Sequence, residues 1–218
     1  MPREHFDQQL VHLEQALLQL ARHVELAIGR AISALEDQDV DAARRVIADD
    51  DLIDRQQYAI EDEALLLIAR QAPLATDLRL ISAVIAIASE LERMGDYAEG
   101  IAKITIRGAS QQLLDPRSAV PEMAAKAQKM LREAVQAFVN RDVDVALRLG
   151  REDTEVDQLA SQVRTELLRT MLHTPNDIER ALNLVFVAHD LERIAERATN
   201  IGERLIFVVT GDFVALND

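Results

Sequence analysis

Glu90-Leu-Glu-Arg-Met-Gly-Asp96 lies over Asp190-Leu-Glu-Arg-Ile-Ala-Glu196 when the chain is shifted by 100 residues, and residues 34–63 lie over 137–166 when it is shifted by 103. In the second match Asp39-Val40-Asp41 falls on Asp142-Val143-Asp144, Asp50 on Asp153, Asp54 on Asp157 and Glu63 on Glu166. One small length change separates the two offsets. A period this long marks a duplicated domain, since solenoid units repeat every ~20 to 50 residues. The repeat predicts two halves, residues 1–110 and 118–218. Its most faithful feature is a set of acid pairs at helical spacing.

Composition agrees with long packed helices: 49% of the 218 residues are hydrophobic, only 3% are aromatic, and there are 7 glycines and 5 prolines. The absence of cysteine excludes disulfides, thiolate zinc sites and cysteine nucleophiles. Met1-Pro-Arg-Glu-His-Phe-Asp7 lacks the apolar core of a signal peptide, so a cytoplasmic protein is expected. The longest apolar stretch, Leu80 to Ala88, is interrupted by Ser82 and closed by Glu90. It falls short of the ~20 residues a membrane helix needs, so no direct membrane insertion is expected. A net charge of -14 opposes phosphate backbones and anionic lipids, which argues against nucleic acid as a partner. Cations and basic protein surfaces are the partners it suits.

Helix signals dominate and no strand pattern emerges. Leu10, Leu13, Leu17, Leu20, Val24, Ala27 and Ala31 recur at three and four spacing, and the run stops before Asp37-Gln38-Asp39. Asp39 is the expected cap of a second helix, which ends near Gln71-Ala72-Pro73 because proline disfavours helix just before it. A third runs from Thr76-Asp77 to about Ile106. Gly108 to Pro121, with glycine, serines and two prolines, is the expected boundary between halves. The pattern then repeats over 121–140, 143–172 and 177–209. The fold class is all-α, six helices in two three-helix bundles.

The candidate chemistry sits on the second and third helices of each half. Residues four apart share a helix face, so Asp50 with Asp54 and Glu92 with Asp96 form two carboxylate platforms; Asp153 with Asp157 and Glu192 with Glu196 repeat them. They flank a core stripe of Leu91, Met94, Ala98 and Ile101, mirrored by Leu191, Ile194, Ala198 and Ile201. Like charges four apart cost a helix a few tenths of a kcal/mol unless something positive lies between them. Four converging carboxylates per half would suit an oxygen-preferring cation such as Mg, Mn, Ca or iron. A structural alternative stands beside this: Arg93 and Arg193 follow the glutamates and offer salt bridges across helices, and Arg197 replaces Tyr97, partly neutralising the second site. The five histidines show no paired ligand spacing.

Two enzyme classes fare less well. A ferritin-like di-iron oxidase needs Glu-x-x-His, and Pro2, Gln9, Leu20, Thr170 and Phe186 stand three before the histidines. A hydrolase needs a nucleophile beside a base, and no Gly-x-Ser-x-Gly, phosphate-cradling loop or His-Glu-x-x-His occurs. The expectation is a protein that is not an enzyme. A carboxylate-bridged metalloenzyme or a metal-storage helical bundle is the alternative.

The chain resembles the PhoU family over nearly its whole length. The resemblance rests on Arg3-Glu4-His5-Phe6-Asp7, on the two Asp-x-x-x-Asp pairs, and on Gln71-x-Pro73-x-x-x-Asp77-Leu78-Arg79. It rests further on Leu91 to Tyr97, on Leu191 to Ile201, and on Thr210-Gly211. It implies two tandem antiparallel three-helix bundles related by internal duplication about a pseudo-twofold. It also implies a bound divalent or trivalent metal ion (Mg, Mn, Ca, Zn or Fe) on the acidic surface, at Asp50, Asp54, Glu92, Asp96, Asp153, Asp157, Glu192 and Glu196. The family's acidic motif departs here at Glu196, usually aspartate, and at Arg197, often histidine. A homodimer is implied, as is a regulator that couples a phosphate ABC transporter, through its ATPase subunit, to a phosphate-sensing histidine kinase and helps silence the phosphate-starvation response.

Overall fold

A computed structural model of the chain describes residues 2–109 and 119–217. Six helices carry it: α1 (Pro2–Glu36), α2 (Val40–Gln71), α3 (Thr76–Gly108), α4 (Val120–Asn140), α5 (Val143–His173) and α6 (Ile178–Thr210), the last preceded by a 3-10 turn at Pro175–Asp177. No strand occurs among the described residues. Helices α1 to α3 pack on one another as one bundle and α4 to α6 as a second. Most of the expected boundary segment, residues 110–118, lies outside the described residues; Gly108 ends α3 and Pro121 stands in the first turn of α4.

The duplication extends to single hydrogen bonds. Asp39 caps α2 by accepting from the Ala42 N–H at 2.9 Å, and Asp142 caps α5 by accepting from the Val145 N–H at 3.1 Å. Just before each cap a residue turns left-handed, Gln38 at φ 53° and Arg141 at φ 58°. The chain then folds back, so that the Asp39 N–H reaches the Ala34 carbonyl at 2.9 Å and the Asp142 N–H reaches the Ala137 carbonyl at 3.0 Å. Every partner is displaced by the same 103 residues.

The second turn of each half breaks this exact copying. Between α2 and α3 the chain passes through Ala72–Ala75; between α5 and α6 it passes through Thr174 and the 3-10 turn Pro175–Asp177, and around this turn the offset falls from 103 towards 100. Proline at 73 and at 175 forbids the helix from running on.

The predicted core stripe is fully buried: Leu91, Met94, Ala98, Ile101, Leu191, Ile194, Ala198 and Ile201 each show 0% exposure. Truncating one of the leucines to alanine should cost about 2–5 kcal/mol. The bundles meet along α3 and α6, which lie antiparallel. Arg79 near the start of α3 approaches Gly211 just past the end of α6, and Gly108 at the end of α3 faces Asn183 near the start of α6. Midway, Asn200 Nδ2 donates to Glu90 Oε2 at 3.1 Å, while a Cβ on Gly100 would stand 3.1 Å from Asp190 Oδ2. These two pairs exchange under the 100-residue offset, so the seam maps onto itself as a twofold requires.

The first half's second turn contains a correctable strain. The Asp77 N–H closes on the Leu74 carbonyl at 3.2 Å, and Ala75 inside that turn sits at φ 48°, ψ -115°. Those angles are close to the first central position of a type II′ turn, which glycine occupies without a Cβ clash. Ala75→Gly should therefore raise unfolding stability by about 1 kcal/mol in urea titration, the relieved strain exceeding the entropy cost of the new glycine. A loss of stability would show that the turn angle is not strained.

Candidate metal centre

The first acidic platform is built by a close approach of two helices. A Cβ on Gly95 would stand 3.1 Å from Ile53 Cδ1 and Cγ2 and 3.2 Å from Asp50 Oδ1, so the bare glycine lets α2 seat against α3. Asp50 thereby meets two acids of α3. Oxygens of Asp50, Asp96 and Glu99 all lie within 4.8 Å of one another, the one group of three such ligands among the described residues. Asp54 and Glu92 lie outside that group but inside its field. Burial first, then the charges of Glu99, Asp54, Asp96 and Glu92, push the Asp50 carboxyl up to about 7. Burial, then Asp96 and Asp54, raises Glu92; burial, then Asp54 and Glu99, raises Asp96, against the pull of Lys103 and Arg93. Lys103 also pairs directly with Glu99 on the same helix.

The duplicated acid pairs in the sequence do not include Glu99. Its signal was present, because Glu92, Asp96 and Glu99 stand at i, i+4 and i+7 on one helix face. The duplicated motif stops short of it: the position equivalent to Glu99 is Thr199.

The second half arranges its acids differently. Asp153 is drawn in between α5 and α6 at 7% exposure instead of flanking the core, and its Oδ1 has no hydrogen-bond partner. Burial first, then Asp157, Glu196 and Glu192, pushes its carboxyl up to about 7. Asp157 is raised by burial and Glu192, with Arg164 opposing. The two glutamates are engaged by cations of the chain itself. Arg164 donates to Glu192 at 2.6 Å, Arg193 bonds Glu196 one turn away, and Arg197 donates to Glu196 at 3.4 Å and to Glu90 at 3.1 Å. Arg164 stands where the first half has Glu61, and Arg197 where it has Tyr97. Arg193 additionally reaches across the seam to the Tyr97 hydroxyl at 3.4 Å. One histidine borders a cluster, His189 Nδ1 lying 4.0 Å from Glu192 Oε2 of the second half; elsewhere His12 pairs with Glu63, His23 with Gln56, and His173 with the Arg169 carbonyl.

Two acid-bearing bundles built on one duplicated pattern match the PhoU domain model twice, over residues 17–105 and 120–205. The chain belongs to the PhoU family. Among similar proteins, the phosphate-specific transport system accessory protein PhoU homolog of Clostridium acetobutylicum is 36% identical over 219 residues, covering 100% of both chains. The Escherichia coli accessory protein PhoU is 32% identical over 206 residues, 94% of this chain and 86% of that one. The crystal structure of PhoU from Pseudomonas aeruginosa superimposes with a TM-score of 0.90 at 34% identity, covering 95% of this chain and all 100% of the other. That of the phosphate transport system regulatory protein PhoU from Streptococcus pneumoniae also gives 0.90, at 30% identity over 96% of this chain and 99% of the other. The PhoU fold therefore spans the chain.

The paired acids make stability depend on pH. Asp50 and Asp153 each move from an ordinary 3.8 to about 7 on folding, so the fold favours their protonated forms. Their contribution is fully present below pH 3.8 and is lost as pH rises through about 7. Asp50→Asn and Asp153→Asn should each stabilise the metal-free protein at pH 8 by about 1 kcal/mol, a figure reduced for solvent screening, and by much less at pH 5. Urea unfolding at the two pH values measures this; equal effects at both would mean that the carboxyls titrate normally.

Proposed function

We propose that this chain is a non-enzymatic, cytoplasmic regulator of phosphate uptake and of the phosphate-starvation response, an adaptor that couples a phosphate ABC transporter to a phosphate-sensing histidine kinase. The observation that carries the reading is the end-to-end likeness to proteins named as accessory or regulatory components of phosphate transport. The net charge of -14 suits basic faces on partner proteins. No helix among the described residues is long and apolar enough to cross a membrane, so contact with a transporter would be made through its parts outside the bilayer.

A hard cation fits the first half. The donors there are carboxylate oxygens alone, which suits Mg, Mn, Ca or iron better than the nitrogen- and sulfur-preferring zinc. Asp50, Asp96 and Glu99 would hold it, and Asp54 and Glu92 would add to the attracting field. Burial and then the charges of its neighbours raise Asp50, and a bound cation would relieve that repulsion. Asp153, Asp157, Glu192 and Glu196 suit a cation less well, because Arg164, Arg193 and Arg197 already supply positive charge. When bound, the ion supplies charge neutralisation and a fixed geometry to the acidic wall.

Two measurements test the reading. Pull-downs with the transporter's ATPase subunit and the kinase's sensor domain should capture a partner at low salt and lose it as ionic strength rises. A phosphate-ester assay with added Mg, Mn or iron should show no turnover. Failure to capture either partner together with metal-dependent hydrolysis would replace the adaptor by the metalloenzyme alternative. For the cation, calorimetry with manganese should show binding that falls at least tenfold in the triple variant Asp50→Asn, Asp96→Asn, Glu99→Gln. Unchanged binding would make these acids a solvated face.

A further inference from the structure

The C-terminal segment after α6 folds back along α5 and α6. Phe213 stacks on Phe207 with ring centroids 4.1 Å apart, and the Arg204 guanidinium lies 5.9 Å over the Phe213 ring. The Leu216 N–H donates to Glu203 Oε1 at 2.8 Å, and Asn217 Nδ2 donates to Thr199 Oγ1 at 2.6 Å. Thr199 Oγ1 in turn donates to the Glu196 carbonyl at 2.7 Å.

Two glycines receive this segment. A Cβ on Gly150 would stand 2.7 Å from the Leu216 carbonyl oxygen, closer than any real contact, and a Cβ on Gly202 would stand 3.2 Å from Leu216 Cδ1. Both lie inside helices, where glycine is unfavourable relative to alanine. The equivalent residues in the first half are Ile47 and Ala102. The second half has thus given up two side chains where Leu216 docks.

The docked segment lies beside the second acidic cluster. Asp153 is three residues along α5 from Gly150, on the same helix face. Thr199, held by Asn217, occupies the position from which Glu99 joins Asp50 in the other half. Asp153 is 7% exposed with an unpartnered Oδ1, whereas Asp50 remains half-buried. We propose that residues 212–217 form a strap that seals Asp153, the buried member of the second acidic cluster, from solvent, and that releasing it makes Asp153 available to a hard cation. The second clause rests on the cation reading given under Proposed function. A hard cation arrives with its water and sheds it reluctantly, so a carboxylate oxygen closed to solvent does not receive it. The strap itself is lightly held, with Phe213 still 71% exposed.

The test compares the full chain, a chain ending at Gly211 and the full-length variant Leu216→Asp, which needs no truncation. Since α6 ends at Thr210 and is capped by Gly211, the shortened chain keeps every helix. Carbodiimide coupling of glycine ethyl ester in the absence of metal, followed by peptide mass spectrometry, reads the access of each carboxyl. Labelling of Asp153 should rise several-fold in both variants while that of Asp50 stays constant. No rise in either variant overturns the strap. Manganese titration should then find one more site in the variants than in the full chain. A rise in labelling without that extra site, while the Asp50 cluster still binds, overturns the link between strap and cation. If manganese binds at neither cluster, it is the cation reading that fails, and the labelling alone decides whether the strap seals Asp153.

Discussion

The burial of α3 constrains everything else in the molecule. It packs against α1, α2 and α6 at once, and residues from Ile81 to Thr105 along it are buried on several sides. A helix enclosed in this way has little surface left for charge. Glu92, Asp96 and Glu99 emerge along the remaining strip, beside α2, where Asp50 is already seated by the glycine at 95. The crowding of carboxylates is therefore a consequence of packing three neighbours around one helix. Glu90, on another face, is consumed by the seam, where Arg197 and Asn200 bind it.

How much of this the sequence disclosed depends on the range of the interaction. The caps at Asp39 and Asp142 and the buried stripe through Leu91 and Leu191 are local or periodic, and they follow directly from spacing. The turn at Ala72–Ala75 was recognisable from Pro73, but its left-handed alanines were not, because alanine gives no sign of positive φ. Glu99 is legible as a helix-face neighbour of Asp96, but the repeat does not reveal it, because the duplicated motif ends before it. The engagement of Glu192 by Arg164 joins residues on different helices, and only the fold brings them together. The same holds for Leu216 and its two glycines.

The halves show how duplication separates fold from chemistry. Both retain the caps, the turns before them and the core stripe, so the backbone has been kept nearly intact. The wall of acids has diverged: Glu61, Tyr97 and Glu99 became Arg164, Arg197 and Thr199. Each change either supplies an internal cation or removes a carboxylate. One half keeps much of its repulsion, relieved only by Lys103 and Arg93, and the other has been quietened by guanidinium groups that bond its glutamates directly. Asp153 is the exception, still pushed up to about 7 because its burial outweighs what the arginines provide to its neighbours.

The antiparallel seam between α3 and α6 also has a consequence for how the molecule is made. Its two strips lie about a hundred residues apart in sequence, and the second belongs to the sixth helix, which is synthesised well after the first bundle. While the first bundle emerges and its turns close, the side of α3 carrying Tyr97 and Gly100 has no neighbour until residue 210 is available. Contacts of such separation form late and slowly, and the partial chain meanwhile presents unpaired apolar surface to other chains. Synthesis rate and temperature thus act on this protein through a single event, the arrival of its sixth helix.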